Sequence, residues 1–440
     1  MFIIEDIKNM KNNKKNKRIA IATLGCKVNQ YDSEALKELL REDGHAIVPF
    51  SAKAEIYIVN SCAVTDAAIT KSRRKINQAK TKNPKAKIIL SGCWPQTGAE
   101  ALPEVSIISG TKDRKKILAA IADYTEPTKQ ISPYESCEKF EELKIAKFGD
   151  RSRAIVKIQD GCRQFCSYCI IPYARGPLRS RNKKEIMLQV AKLVKSGYKE
   201  IVLTGIHLGL YGAGTKEPAL AGLIKDLVKI KGLERVRLSS IEVNEISEEL
   251  IKLTKENKKL CPHLHIPLQN GSDKILMAMN RPYDTKKFEE KIKKIRAKIP
   301  EISLTTDVIV GFPGETEKDF KETCEFCEKI NFSKIHVFSF SRRKGTPAYE
   351  MLGQIDKETI TKRSGRLRLL SDKLENNYAK KFIGKTVEVL PQGKTKDGRY
   401  TFGLTDNYLR INFDGKNSKE PTRVRIEKIS GNTLIGKVTA

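Results

Sequence analysis

Three cysteines, Cys162, Cys166 and Cys169, stand in the run CRQFCSYC at a spacing of three and then two intervening residues. Thiolates so spaced can hold three irons of a cubane and leave the fourth iron without a protein ligand, which makes that iron a reaction site. Bacterial ferredoxin runs use a different spacing and complete their ligation with a further cysteine, and structural zinc sites close with four ligands. A lone triad therefore indicates a vacancy kept for an exogenous ligand. The alternative is a reduced surface loop with incidental cysteines. A second set, Cys26, Cys62 and Cys93, is dispersed in sequence but shares one context, because each follows the end of a short apolar, β-branched run. In open parallel α/β sheets that edge is where ligands bind. Unrelated core cysteines would more naturally lie within the apolar runs, so convergence on a second metal centre, again with three thiolates, is the better account.

The elements that must position these residues fall into three segments. Residues 17–125 alternate short strands (Arg18-IAIATLG, Glu55-IYIVNS, Lys87-IILSG, Val105-SIISG) with helical patterns starting near Ser33, Ala67 and Asp113. This predicts an open parallel α/β domain. Residues 126–150 are mixed polar with two prolines and are expected to form a linker, in which Cys137 is a bystander. Residues 151–381 hold six strand candidates, at Ala154-IVKIQD, Ile201-VLTGI, Arg235-VRLSS, His263-LHIPLQ, Leu304-TTDVIVGF and Lys334-IHVFSFS. Six βα units are too few for an eight-stranded barrel, so a partial (β/α)6 barrel with an open side is expected, its chemistry at the C-terminal ends of the strands. The Cys162 triad follows the first of them. Residues 382–440 become short strands separated by Gly, Asn and Asp turns, the pattern of a small β-barrel. The fold class is thus α/β with an appended small barrel.

Charge narrows the class of partner. The 440 residues carry 83 Lys and Arg against 53 Asp and Glu, a formal +30, which points to a polyanion, nucleic acid first. Between Ala67 and Ala99 lie eight basic residues, Arg73, Arg74 and Lys75 among them, and no acidic one. Such a surface attracts phosphate, although a solvated helix face would read the same way. Residues 382–440 carry 11 basic and 6 acidic residues, and Tyr400, Phe402, Tyr408 and Phe413 are candidates to stack bases. Aromatics at alternating positions are equally the pattern of a barrel core. Ten cysteines behind a charged, non-apolar N-terminus predict a reducing compartment, and no apolar run reaches the roughly 18 to 20 residues of a membrane span. A cytoplasmic protein without a membrane partner is expected.

Taken together, Thr23-LGCKVNQYDSE, Asn60-SCAVT, Ser91-GCW, Gly161-CRQFCSYCIIPYARGPLRSR and Leu203-TGIHLG resemble the radical S-adenosylmethionine (SAM) methylthiotransferase family. The resemblance runs in order over nearly the whole chain, including a C-terminal segment similar to the TRAM RNA-binding domain. Within the family, Gly25-CKVNQYDSE, Ile158-QDGC, Thr204-GIHLG and Ser239-SIE look like the bacterial branch acting on N6-threonylcarbamoyladenosine at position 37 of tRNA. The family's Arg-Pro-Gly-Thr near the last barrel strand is here Arg343-KGTPA, a departure.

The resemblance implies two 4Fe-4S clusters: one on Cys162, Cys166 and Cys169 that cleaves SAM to a radical, and an auxiliary one on Cys26, Cys62 and Cys93 that delivers sulfur. It implies SAM contacts at Gly205, after the second barrel strand, and at Ile309, Gly311 and Gly314 in Val308-IVGFPGE. It also implies the tRNA anticodon loop as partner and an electron donor such as a flavodoxin-type reductant. Threonylcarbamoyladenosine carries a carboxylate, so a cation is required, and Arg175, Arg179, Arg181, Arg342 and Arg343 are the candidates. Contact with tRNA phosphates or SAM is as good an account of any one of them. Cys324 and Cys327 share a helical stripe with Phe320 and are expected in its core, and Cys261, His207 and His336 are expected to be ordinary. The rival functions are a methylthiotransferase acting on isopentenyladenosine, another radical SAM enzyme on RNA without sulfur insertion, which would not need Cys26, Cys62 and Cys93, and a non-catalytic RNA-binding iron–sulfur sensor.

Overall fold

The structure, a computed structural model, describes residues 16–98, 102–112, 114–122, 126–135, 139–149, 152–213 and 219–439. Asp113 and Cys137 lie outside the described residues. The chain divides into two compact units, one made of Met1–Ala146, Asp160–Phe165 and Cys169–Arg179, the other of Lys147–Gln159, Cys166–Tyr168 and Ser180–Ala440.

The first unit is built on a six-stranded parallel sheet of β1 (Arg18–Thr23), β2 (Ala46–Val48), β3 (Ile56–Ser61), β4 (Lys87–Gly92), β5 (Ile107–Ser109) and β6 (Thr128–Gln130), in the order β2-β1-β3-β4-β5-β6. Its central strands β3 and β4 are almost wholly buried runs, because helices cover both faces there. Ile56, Ile58 and Ile89 enter one core, and their neighbours Tyr57, Val59, Ile88 and Leu90 enter the other. Three features differ from expectation. The first helix spans Lys27–Glu42 and so starts well before Ser33. Its opening turns read as polar loop, yet Asn29, Tyr31, Asp32 and Ser33 are buried, so this helix turns polar side chains inward. The short strands β2 and β6 carry too little pattern to be seen in sequence. β6 also lies in the stretch read as a linker, where Leu143 and Ile145 are buried, so this stretch is not a free tether.

The second unit holds β7 (Arg153–Lys157), β10 (Glu200–Thr204), β11 (Arg235–Leu238), β12 (His263–His265), β13 (Ser303–Val310) and β14 (Lys334–Ser339), while the two-residue strands β8 (Gln159–Asp160) and β9 (Arg179–Ser180), which bracket the cysteine loop, each have one residue in either unit. Parallel ladders give β7-β10-β11 and β12-β13-β14, and the bridges Val236 to Leu260 and Ser240 to His265 join the halves. Among the described residues no ladder pairs β7 with β14, so the six strands form a partial barrel. A 24-residue helix, Lys357–Lys380, leads into a closed barrel of β15 (Thr386–Lys394), β16 (Thr401–Thr405), β17 (Arg410–Asp414), β18 (Thr422–Ser430) and β19 (Thr433–Val438).

The small barrel is not a separate bead. Tyr378 and Phe382 from the helix end join its core, and Arg237 donates to the backbone oxygens of Thr405 (3.0 Å) and Asp406 (2.7 Å) while its Nε bonds Glu200 at 2.9 Å. Tyr408, at φ +71°, stacks on His263 with ring centroids 4.6 Å apart. Burial alone would raise the Glu200 carboxyl, but the guanidiniums of Arg237, Arg153 and Arg235 hold it below its ordinary range. Arg153, Glu200, Arg235 and His263 are each the first residue of a barrel strand, so the small barrel docks on the N-terminal ends and leaves the C-terminal ends for chemistry. This docking engages Tyr408, and Phe413 is fully buried, so of the four candidate stacking rings only Tyr400 and Phe402 keep partial exposure outside these contacts. Among the described residues no helix is long and apolar enough to cross a membrane.

Candidate functional site

In the first unit the chain passes from β1 out to β2 and returns to β3 on the other side of β1, so the carboxyl ends of β1 and β3 flank a topological switch point, where such sheets bind ligands. Cys26 follows β1, Cys62 directly follows β3 and Cys93 directly follows β4. Gly25 permits the approach. Its φ of +95° lies in the region L-residues rarely adopt, and a Cβ there would stand 2.8 Å from the Cβ of Cys62. Asn29 ties the strand ends together by donating to the backbone oxygens of Leu24 (2.8 Å) and Ser61 (3.0 Å), and its Oδ1 lies 3.9 Å from the sulfur of Cys93. Burial raises the thiol of Cys62 and pushes that of Cys93 up to about 12, with the positive charge of Arg175 opposing both. Coordination to a metal removes such protons outright. The donor set at the three strand ends is all thiol, the kind that suits a group of several irons; among the described residues no three of the His, Cys, Asp and Glu side chains converge on one ion.

The second triad lies on one loop, residues 161–170, between β8 and the short helix Ile171–Arg175. The backbone N–H of Cys162 donates to Gly176 at 3.0 Å, and Cys162 opens onto a cleft of about 650 Å³ lined by Ile131, Tyr134, Phe165, Pro172 and Tyr173. Phe165 takes φ +47° and half-exposes its ring edge-on to that of Tyr173. In the second unit, Ser167 N–H donates to Met279 (3.1 Å) and Ala348 N–H to Ser167 (2.8 Å), which fixes the loop around Cys166.

Sequence reasoning missed the residue that touches Cys166. Arg281 directs Nη1 at its sulfur, 3.1 Å away, and is itself held by Glu242, Tyr168 and Tyr283. Burial raises the carboxyl of Glu242 against the pull of Arg281. Two signals were available: Arg281 stands directly before Pro282, and Glu242 closes the Ser239-SIE segment.

Gly205 follows β10, where a Cβ would meet the Gln159 carboxamide at 2.8 Å, the same group that accepts from His207 N–H at 2.7 Å. Ile309 N–H bonds the backbone oxygen of Gln269 at 2.8 Å. Gly311 and Gly314 both have positive φ, for different reasons. A Cβ on Gly311 would strike Ile360 at 2.3 Å, so its glycine is demanded by packing, whereas Gly314 faces open space in which a ligand can approach the backbone. Glu315 accepts from Gly311 N–H (2.8 Å) and Arg363 (2.7 Å) and fixes this turn. His207 pairs with Glu245 and His265 with Asp307, while His336 lies against His265, so no free imidazole stands out as an acid or base.

The arginine candidates separate. Arg175 is fully buried against Asp32 (2.7 Å), Asp160 (3.4 Å) and Asn29; Arg179 bonds the backbone oxygen of Pro177 (2.9 Å) and lies over Tyr134; Arg181 bonds Gln189. All three are buried and engaged within the protein. Arg342 is exposed and lies 4.4 Å over the ring of Tyr349, and Arg343 beside it is half-buried. On the helix Asp66–Lys82, Arg73 lies over Trp94, Lys75 over Phe50, and Arg74 is exposed. Cys327 is buried with Phe320 in the core of the helix Glu317–Ile330, and burial raises the thiols of both Cys324 and Cys327.

Residues 156–327 match the model of the Radical SAM superfamily, and residues 18–109 match that of an uncharacterized protein family, UPF0004. The chain is 42% identical over 407 residues, 90% of each chain, to the threonylcarbamoyladenosine tRNA methylthiotransferase MtaB of Bacillus subtilis. It is 40% identical to the MtaB of Thermotoga maritima over 95% of this chain and 96% of that one. The chain belongs to the radical SAM methylthiotransferase family. A second branch is also related: the tRNA-2-methylthio-N(6)-dimethylallyladenosine synthase of Clostridium perfringens is 37% identical over 98% of this chain and 99% of its own. The fold recurs in the radical SAM methyltransferase TsrM from Kitasatospora setae, with a TM-score of 0.55 at 14% identity over 75% of this chain and 76% of that one. It recurs also in the cobalamin-dependent enzyme OxsB, with a TM-score of 0.51 at 12% identity over 84% of this chain and 57% of that one. As a radical SAM enzyme, this methylthiotransferase uses SAM and a 4Fe-4S cluster.

Proposed function

We propose that this methylthiotransferase converts N6-threonylcarbamoyladenosine beside the tRNA anticodon to its 2-methylthio derivative. The observation that carries the reading is the identity to MtaB proteins of 42% and 40%, above the 37% to the dimethylallyl branch, over nearly the full chain. Cys162, Cys166 and Cys169 are assigned to the SAM-binding cluster, and Cys26, Cys62 and Cys93 to a second, auxiliary 4Fe-4S cluster. When bound, these groups supply one-electron chemistry able to open an aromatic C–H bond and sulfur to replace the hydrogen. An adenine C–H has no useful acidity, so radical rather than acid–base chemistry suits its replacement.

The protein's own contribution is positional. Gly205, Ile309, Gly311 and Gly314 line the carboxyl ends of β10 and β13, where we place SAM. The cleft at Cys162, with the rings of Phe165 and Tyr173, suits an unstacked base from a single-stranded loop. Arg73, Arg74 and Lys75 and the small barrel are assigned to phosphate contacts, and Arg342 or Arg343 to the substrate carboxylate. The segment boundaries at residues 17–125, 126–150, 151–381 and 382–440, a cytoplasmic location and a flavodoxin-type electron donor complete the proposal. Presenting purified enzyme with tRNAs bearing each modified adenosine tests it. The added methylthio mass is expected on the threonylcarbamoyl form, and preference for the isopentenyl form would overturn the branch while leaving the chemistry.

A further inference from the structure

The Cys26, Cys62 and Cys93 site has a cationic wall that the reaction as described does not use. Arg175 has no exposed surface, and two of its three nitrogens are engaged: Nη1 with Asp32 and Asp160, Nη2 with the Oδ1 of Asn29. That Asn29 oxygen is the atom 3.9 Å from the sulfur of Cys93, so guanidinium and thiol share one neighbour. The remaining nitrogen, Nε, is buried without any hydrogen-bond partner. An unpaired buried donor of this strength is costly, and a bound group that accepts from it is its physical explanation. The surrounding charge points to the kind of group. Asp32 is already paired with Arg114 at 2.6 Å, so Arg175 is not needed to neutralise it alone. Three thiolates and an exogenous sulfur would concentrate negative charge here, and a planar, permanently charged fork is the side chain suited to hold it.

We propose that Arg175 is the positioning and charge-balancing residue of the Cys26, Cys62 and Cys93 site, its free Nε–H directed to an anionic sulfur of the group held there. The inference rests on the reading of that triad as a cluster site. A fixed cation and a hydrogen bond to sulfur both favour the reduced state of an iron–sulfur cluster, so Arg175 raises its potential and favours binding of hydrosulfide.

The test uses the full chain with Cys162, Cys166 and Cys169 changed to Ala, reconstituted so that only the auxiliary cluster is present, and inorganic sulfide as probe. In Arg175→Gln the cluster should assemble, but its reduced-to-oxidised ratio at fixed poise should fall at least tenfold, about 59 mV for a one-electron couple. The sulfide needed for half-maximal change in its paramagnetic resonance spectrum should rise at least tenfold. Arg175→Lys keeps the charge without the fork and should recover much of the potential but little of the sulfide response, a split that a merely structural role would not give. Should Arg175→Gln fail to fold, Arg175→Gln with Asp160→Asn removes a carboxylate together with the cation and is read in the same way. A cluster that assembles in the Gln variant with unchanged potential and sulfide response would overturn the proposal. No iron at all in the Arg175 parent would instead overturn the reading of the triad, and this inference with it.

Discussion

Replacing Gly25 by Ala should remove one cluster from the protein while leaving most of its stability. Two effects act at this position. The backbone φ of +95° is strained for any residue with a Cβ, which costs about 1 to 3 kcal/mol. The added methyl would also lie 2.8 Å from the Cβ and 3.0 Å from the sulfur of Cys62, closer than carbon and sulfur tolerate, so Cys62 must move. The molecule contains its own control. Gly98 has nearly the same backbone, φ +97°, but nothing within 4 Å of where its Cβ would stand. Gly98→Ala therefore isolates the backbone cost, and both variants should lose similar stability in chemical denaturation. After anaerobic reconstitution, Gly98→Ala should keep about eight irons and Gly25→Ala should fall to about four, as expected for loss of one of two 4Fe-4S clusters. Equal iron in the two variants would refute the argument, because it would mean that Cys62 does not need its place beside Gly25 to hold metal.

Substituting Cys162, Cys166 and Cys169 by Ala should abolish reductive SAM cleavage, whereas substituting Cys26, Cys62 and Cys93 should leave some cleavage but no methylthiolated nucleoside by mass spectrometry; repeated turnover by the latter variant would sink the two-cluster assignment. Affinity for tRNA should fall steeply with salt, and Arg74→Glu, at an exposed position between two arginine and lysine side chains that lean on rings, should lower the slope of the log–log plot by about 1. Arg237→Ala should cost about 3 to 5 kcal/mol in unfolding experiments, because it strands the buried Glu200 carboxylate and frees the backbone oxygens of Thr405 and Asp406. A loss under 1 kcal/mol would mean that the small barrel is not fastened there.

The sequence carried the fold and the family well because both are written in residue type and local spacing. CRQFCSYC carries the family resemblance in its spacing, and the three other cysteines could be read together because parallel strands announce themselves as short apolar runs whose ends are visible. The six strands of the partial barrel and the five of the small one were legible for the same reason. Short strands were not. β2 and β6 are three residues each, below the length at which alternation or apolar runs carry information, and they exist because a neighbouring strand offers unpaired backbone groups. The inward polar face of the helix Lys27–Glu42 was illegible too, since inward-facing Asn29 and Asp32 make sense only once the groups they bond, from Ser61 to Arg175, are beside them.

The arginines show where residue type stops being enough. Arg175, Arg179 and Arg181 stand close after a metal-binding loop in a chain of +30 charge, and every local feature favours an anionic ligand from solvent. Their partners are chosen by the fold instead. Asp32 is 143 residues from Arg175, and no pattern in either segment predicts the pair. A guanidinium locked on three sides beside a cysteine site cannot swing to meet a tRNA, but it is held rigidly, and rigidity is what lets one charge act on one set of sulfurs without the screening and reorganisation that a surface cation suffers. Among the candidate cations, Arg342 stays exposed where it rests on Tyr349 after β14, whereas Arg175, Arg179 and Arg181 are buried.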